Sequence, residues 1–328
     1  MESDREIGGF FGLELPVFDN FPQVREENYA LLNSGRCALE FILHSLGTVV
    51  RVYLTRYTCP TVLVPLERLG IPYEFYRITP DLEVVEESLP VLREGEYVLY
   101  THYFGIKERY IDTLADKYRG HLLIDSTLAF YSPARKGIPV FYSPRKFSGV
   151  ADGGIAVMSS PSSVPEARET SHGFSGYLLQ RLEQGGESAA AGCQESEDRL
   201  RNAPMRRMSL LTERLLRGVD YESAARRRMS NFLYLHERLA GLNKLCPDTE
   251  NMSAPFCYPF WTNLPGLRNE LIDRRILIPC LWPEVLERSS PGSVECNLAL
   301  GLLPLPVDQR YDHAEMNIII RAIEKYYN

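Results

Sequence analysis

Lys146 stands in the segment Ser143-Pro-Arg-Lys-Phe-Ser-Gly-Val-Ala-Asp152-Gly-Gly154, between two apolar runs that read as strands. An amine held in such a loop, partly desolvated or beside another cation, is a nucleophile toward an aldehyde. Arg145 is a neighbouring cation of that kind; a plain surface lysine in a basic loop is the alternative. Asn33-Ser34-Gly35-Arg36 opens an apolar helical pattern. Free backbone N–H groups and the positive end of the helix dipole make such a start an anion site, and Gly35 permits close approach. Ordinary capping by Ser34 explains the same residues equally well. Asp125 ends the buried run HLLID. A carboxylate there could pair with a protonated ring nitrogen, or simply cap a turn.

The elements that must hold these residues alternate. Ala38, Leu39, Phe41, Ile42 and Leu46 recur at helical spacing before Gly47. VVRVYL predicts a strand, Thr61 to Leu69 a helix closing at Gly70, and YEFYRI a further strand. YVLYTHYF, a helix from Tyr110 to Tyr118, HLLIDST, VFYS and GIAVMS continue the pattern. Strand–helix–strand alternation predicts an α/β domain with a mainly parallel sheet, in which ligands collect at the carboxyl ends of the strands. Beyond Ser160 a loop precedes helical sequence interrupted by GGESAAAG, then a long helical region from Met205 to Leu239, bent near Gly218. Arg226 to Arg228 reads as a solvated helix face. PFCYPFW, LIDRRILI and AEMNIIIRAIEKYY predict a smaller α+β domain.

Composition narrows the function. The 328 residues carry 36 Lys plus Arg against 43 Asp plus Glu, a net charge of -7, which argues against a general nucleic-acid binder. Hydrophobic residues make up 45%, enough for a large core. No apolar run approaches the roughly 20 residues that span a bilayer. The acidic opening MESDREIGGFF lacks the pattern of a secretory signal, so a cytoplasmic protein with no membrane partner is expected. Seven widely spaced cysteines without C-x-x-C predict free thiols, and six scattered histidines give no metal motif.

In order, the segments resemble the DegT/DnrJ/EryC1/StrS sugar aminotransferases, pyridoxal-phosphate enzymes of fold type I. NSGRCAL resembles their S-G-x-x-A-L phosphate helix, and RVYLTRYTCPTVLVPLERLGIPYEFYRITPDL the following strand–helix–strand unit. THYFGI, HLLIDST, Lys146 to Gly154, RRMS at 206–209, YPFWTNLPGLRNELIDRRI and LLPLPVDQRY continue the likeness, from about residue 28 to 323. The resemblance implies a large domain with a mainly parallel seven-stranded sheet flanked by helices and a small C-terminal α+β domain. Its boundaries would be an N-terminal arm over 1–27, a cofactor-binding domain over 28–204, a helical connection over 205–240 and a small domain over 241–328. It implies pyridoxal 5'-phosphate as cofactor, with Lys146 as imine partner and proton carrier and Asp125 at the ring nitrogen. Ser34, Gly35 and Arg36 would hold the phosphate, Arg36 standing where many members have threonine. The implied reaction moves an amino group from an amino acid, usually glutamate, to a keto-sugar, nucleotide-linked, in a homodimer with a shared active site. Asn202 is expected at phosphate across the dimer boundary. Tyr57, His102 and Arg310 are candidate substrate contacts as polar residues near the cleft, with a hydrogen-bonded strand end as the equal alternative for His102 and a small-domain salt bridge for Arg310.

The pocket also departs from the family. Cys59 stands where an aromatic residue commonly covers the ring, and Leu128 where glutamine or histidine usually meets the ring hydroxyl, a role for which Thr127 is the substitute. Phe141 replaces a phosphate-binding serine five residues before the lysine, leaving Ser143 for that role. Dehydratases of the family carry histidine in place of the lysine, so Lys146 argues against that branch. Another pyridoxal-phosphate enzyme, or a non-catalytic cofactor- or sugar-binding homologue, remains as the alternative.

Overall fold

The computed structural model describes residues 13–18 and 28–327. The arm expected over 1–27 therefore lies largely outside the described residues; of it, the Phe18 amide donates to the Arg217 carbonyl at 2.7 Å. The chain alternates through β1 (Tyr29–Leu32), α1 (Gly35–Ser45), β2 (Arg51–Thr55), α2 (Leu63–Leu69), β3 (Tyr73–Tyr76), β4 (Glu96–Thr101), α3 (Glu108–Lys117) and β5 (Leu122–Asp125). β6 (Val140–Tyr142) and β7 (Gly154–Val157) complete one seven-stranded sheet in the order β1-β7-β6-β5-β4-β2-β3. β3, β2, β4, β5 and β6 are parallel, while β7 is antiparallel to both β6 and β1.

Each helix has a local cause. Ser34 caps α1, its Oγ accepting from the Cys37 amide at 3.1 Å, and the apolar stripe Leu39, Phe41, Ile42 and Leu43 packs on one sheet face. α2 follows a 3-10 turn started by Pro60 and ends at Gly70, whose φ of 64° is left-handed. Val98, Leu99 and Tyr100 of β4 and Leu122, Leu123 and Ile124 of β5 are all buried, as central parallel strands covered on both faces require.

α4 (Gly176–Gln184) and α5 (Ala190–Arg201) form a hairpin after β7, followed by α6 (Leu210–Arg217) and α7 (Tyr221–Leu239). The C-terminal part pairs β8 (Cys257–Trp261) antiparallel with β9 (Leu302–Pro306), accompanied by α8 (Leu267–Asp273), α9 (Val285–Arg288), α10 (Val294–Gly301) and α11 (His313–Tyr327). One apolar cluster joins its residues, Leu267 and Ile320 among them, to the second face of the large sheet. Among the described residues no helix is long and apolar enough to cross a membrane.

Three expectations change. β1 was not foreseen in the segment before Ser34. The helix expected from Met205 begins at Leu210, because residues before it run extended beside β1: the Asn33 amide donates to the Arg206 carbonyl and the Met208 amide to the Leu31 carbonyl. An edge strand's unpaired backbone groups outweigh local helical pattern. Arg226 and Arg227 are exposed, but Arg228 is only 2% exposed, with its guanidinium 4.7 Å from the Phe147 ring centre.

At Gly154 the sheet meets α1 so closely that a Cβ would collide with the Ser34 carbonyl and lie 2.7 Å from the Gly35 nitrogen. Gly154→Ala is expected to destabilise the fold by about 3 kcal/mol through backbone overpacking. Gly173→Ala, with nothing within 4 Å of its Cβ position, is the control. Urea denaturation midpoints check both; equal midpoints would reject the constraint.

Candidate active site

Gly154 and the Ser34–Gly153 bridge bring the N-terminus of α1 against the start of β7. At Gly35 an added Cβ would lie 3.4 Å from Thr127 Cγ2 and 3.5 Å from Ser143 Cβ, so three distant segments touch here. Lys146 closes a 3-10 turn over Pro144–Lys146, its amide donating to the Ser143 carbonyl at 3.3 Å. Its Nζ donates to Thr127 Oγ1 at 3.3 Å, and the Thr127 amide donates to Asp125 Oδ1 at 2.9 Å. Amine, hydroxyl and carboxylate thus form one polar line at the carboxyl end of β5. Asp125 is 2% exposed. Burial raises its pKa, opposed by the field of Lys146 and by the hydrogen bonds from Thr127.

A cavity of about 190 Å³ opens beside this line. Of the residues singled out in the sequence, Ser34, Gly35, Arg36, Cys59, Thr127, Ser143 and Lys146 line it. Phe141 and Leu39 add apolar wall, and Cys59 Sγ lies 3.0 Å from Thr61 Oγ1. Asp125 is not in the lining and reaches the cavity through Thr127. Leu128 is buried in the core and offers no polar group.

Four other candidates are placed elsewhere. Tyr57 is buried in an aromatic cluster, with ring centres 5.7 Å from Tyr103 and 4.9 Å from Trp282. His102 is fully buried with neither ring nitrogen hydrogen-bonded, and burial lowers its pKa to about 4. Its backbone amide, by contrast, donates to the Asp125 carbonyl at 2.9 Å. Asn202 is exposed at the end of α5, and Arg310 pairs with Asp308 at 2.7 and 2.9 Å.

Sequence reasoning missed the supports of the lysine loop. Buried Asp152 accepts from the Ser209 amide at 2.8 Å, from Ser209 Oγ at 2.6 Å and from Thr212 Oγ1. Ser209 belongs to the RRMS segment, which was the available signal. On the other side, Gln309 Nε2 donates to the Phe147 carbonyl at 2.9 Å and Gln309 Oε1 accepts from Arg228 Nε at 2.9 Å. Glu197, also missed, reaches the cavity from α5 and pairs with Arg145 at 2.9 Å. No local pattern marks it, since only the hairpin's packing brings it there.

The wall is strongly cationic. Arg36, Arg145 and Lys146 converge on the α1 N-terminus, and burial lowers the pKa of Arg36. The Nε atoms of Arg36 and Arg145 are buried without a hydrogen-bond partner. Two guanidinium groups beside a helix N-terminus suit a compact dianion, next to which the structure sets an amine and a buried carboxylate.

The architecture is that of a fold type I pyridoxal-phosphate transferase: a mainly parallel seven-stranded sheet with flanking helices and a smaller C-terminal α+β part. The chain shares this fold with a sugar aminotransferase from Micromonospora echinospora (TM-score 0.64, 14% identity, 90% of this chain and 87% of that one). It also matches a DegT DnrJ EryC1 StrS aminotransferase from Brucella abortus (TM-score 0.61, 16% identity, 92% and 86%). A third match is DesV of S. venezuelae in complex with a ketimine intermediate (TM-score 0.60, 17% identity, 93% and 86%). No protein-family model and no curated protein sequence matches the chain.

Asp125→Asn removes a carboxylate whose pKa burial raises in the folded state, so its charge opposes folding at neutral pH. The penalty is absent below the unfolded value of about 3.9 and complete above the folded value. The variant is therefore expected to unfold at higher urea than the parent at pH 7, with the gap closing as the pH falls through the folded pKa and gone below about 3.9. Paired urea titrations across pH measure it, and a gap that widens in acid contradicts it.

Proposed function

We propose that the protein is a pyridoxal-phosphate-dependent aminotransferase, taking an amino group from an amino acid, glutamate first, and delivering it to a nucleotide-linked keto-sugar. The observation that carries this reading is the line Lys146–Thr127–Asp125 set against a helix N-terminus. Support from outside the chain is the fold shared with sugar aminotransferases.

The residues present fit the cofactor. Gly35 keeps the start of α1 free of a side chain that would stand against Thr127 and Ser143, and Arg36 and Arg145 line the cleft as cations for a phosphate. Cys59 and Phe141 give apolar cover for a ring. When bound, pyridoxal phosphate supplies an aldehyde for the amine and a ring that accepts electrons.

The chain's own groups do the rest. The α1 N-terminus, Ser143 and the two arginines would hold the phosphate. Asp125 would hold a proton at the ring nitrogen, and that cation would offset the cost of its buried charge. Lys146 would engage the aldehyde and, once an amino donor frees it, its Nζ would serve as the base for the proton on the donor's α carbon, with Thr127 as its hydrogen-bond partner. The same residues would serve the keto-sugar half of the reaction.

Within this reading, residues 28–204 form the cofactor-binding unit, 205–240 the connection and 241–328 the small domain. A homodimer with a shared active site belongs to it as well. Lys146 is exposed in the single chain, and a partner covering it would exclude water from the base. A second reading, another pyridoxal-phosphate reaction or binding without turnover, draws on the buried Leu128 side chain, which offers no hydrogen bond.

Incubation with pyridoxal phosphate followed by borohydride reduction should leave the cofactor covalently on the peptide containing Lys146. Lys146→Ala should abolish that label and lower transamination by about 10³-fold or more. Labelling without amino transfer from glutamate to any nucleotide-linked keto-sugar would support the second reading. No labelling would reject both.

A further inference from the structure

Glu197 differs from the rest of the cleft in sign. Among the described residues it is the one carboxylate in the lining, and it comes from α5 to meet Arg145. Its side chain is 46% exposed against 13% for Arg145, so the acid sits at the mouth and the cation inside. Its field also favours the charge on Arg36, which burial opposes. One carboxylate faces two guanidinium groups, an amine and a helix N-terminus. The Nε atoms of Arg36 and Arg145 make no hydrogen bond. A phosphate, with three acceptor oxygens and a second charge, engages two guanidinium groups and a helix N-terminus more fully than one carboxylate does.

The element carrying Glu197 is lightly fastened. α4 buries no residue, and α5 buries Ser196 and Leu200. A small patch of Ala151, Phe174 and Leu200 holds the hairpin, helped by Tyr177 Oη donating to the Val150 carbonyl at 3.3 Å and by Arg199 over the Phe174 ring. Few buried apolar contacts mean a low cost for local displacement.

We propose that Glu197 is an internal counter-ion that phosphate displaces, moving α5 away from the lysine loop. The inference rests on the reading of this cleft as a phosphate-binding site and adds an internal competitor to it. A ligand with a single carboxylate exchanges one such group for another and gains little. A dianionic phosphate gains charge and hydrogen bonds that offset the displacement of Glu197, a cost common to every anion entering the cleft.

Calorimetric titration with inorganic phosphate and with acetate tests this on the full chain. Glu197→Gln should bind phosphate about tenfold tighter, equivalent to about 1.4 kcal/mol. It should bind acetate more tightly by a similar factor, because both anions displace the same carboxylate. Arg145→Met should shrink the effect of Glu197→Gln, as expected for two groups in one interaction. In the parent protein, phosphate should raise hydrogen exchange in segment 176–201, and Glu197→Gln should show raised exchange without phosphate. Equal or weaker phosphate binding by Glu197→Gln, or no binding by either protein, overturns the proposal. An undiminished effect in the Arg145→Met background overturns it too. The borohydride label on Lys146 is read separately. Its absence with the phosphate effect intact removes the cofactor reading and leaves Glu197 as counter-ion; its presence without that effect does the reverse.

Discussion

The approach of β7 to the first turn of α1 is the contact on which the cleft depends. At Gly154 the backbone of one element occupies the space where any side chain would stand, against the carbonyl of Ser34. This proximity places the free amides of the helix beside the lysine loop, because that loop leads directly into β7. The N-terminus of α1 and the amine of Lys146 are therefore positioned by one packing event. Neither requires a long side chain to reach the other.

Around that contact the structure spends buried polar groups freely. Asp125 is desolvated at the end of β5, Asp152 is desolvated beneath the loop, and Arg36 is desolvated in the wall. Asp152 is fully engaged by Ser209 and Thr212, as a structural group should be. Asp125 is engaged by Thr127 and by the field of Lys146, yet burial still raises its pKa. The two carboxylates lie 27 residues apart in the chain, yet their environments differ: one braces the loop through Ser209 and Thr212, the other stands at the end of β5 beside Thr127.

Much of this was legible in the residues. The helix at Ser34, the closing Gly70, the strand ending at Asp125 and the lysine between two apolar strands all follow from local chemistry. Their hydrogen-bonding and apolar patterns are set within a few residues. What escaped depends on partners far away. β1 is a short edge strand whose pairing with β7 spans more than a hundred residues, and the extended stretch before Leu210 borrows that same edge. Arg228 sits in a run of three arginines that looks solvated, and only the placement of Phe147 and Gln309 shows why the third is buried. Tyr57, His102 and Arg310 are polar residues near strand ends or turns, but side-chain direction, which spacing alone does not set, turned them into the core or onto neighbours.

The grip on Phe147 has a mechanical consequence. Its carbonyl is held by Gln309 just beyond β9, its ring lies under Arg228 of α7, and Arg228 also donates to the carbonyl of Pro255 ahead of β8. Three pieces of the C-terminal half thus converge on the residue immediately after Lys146. Any shift of that half would reach the lysine's backbone through a single peptide unit.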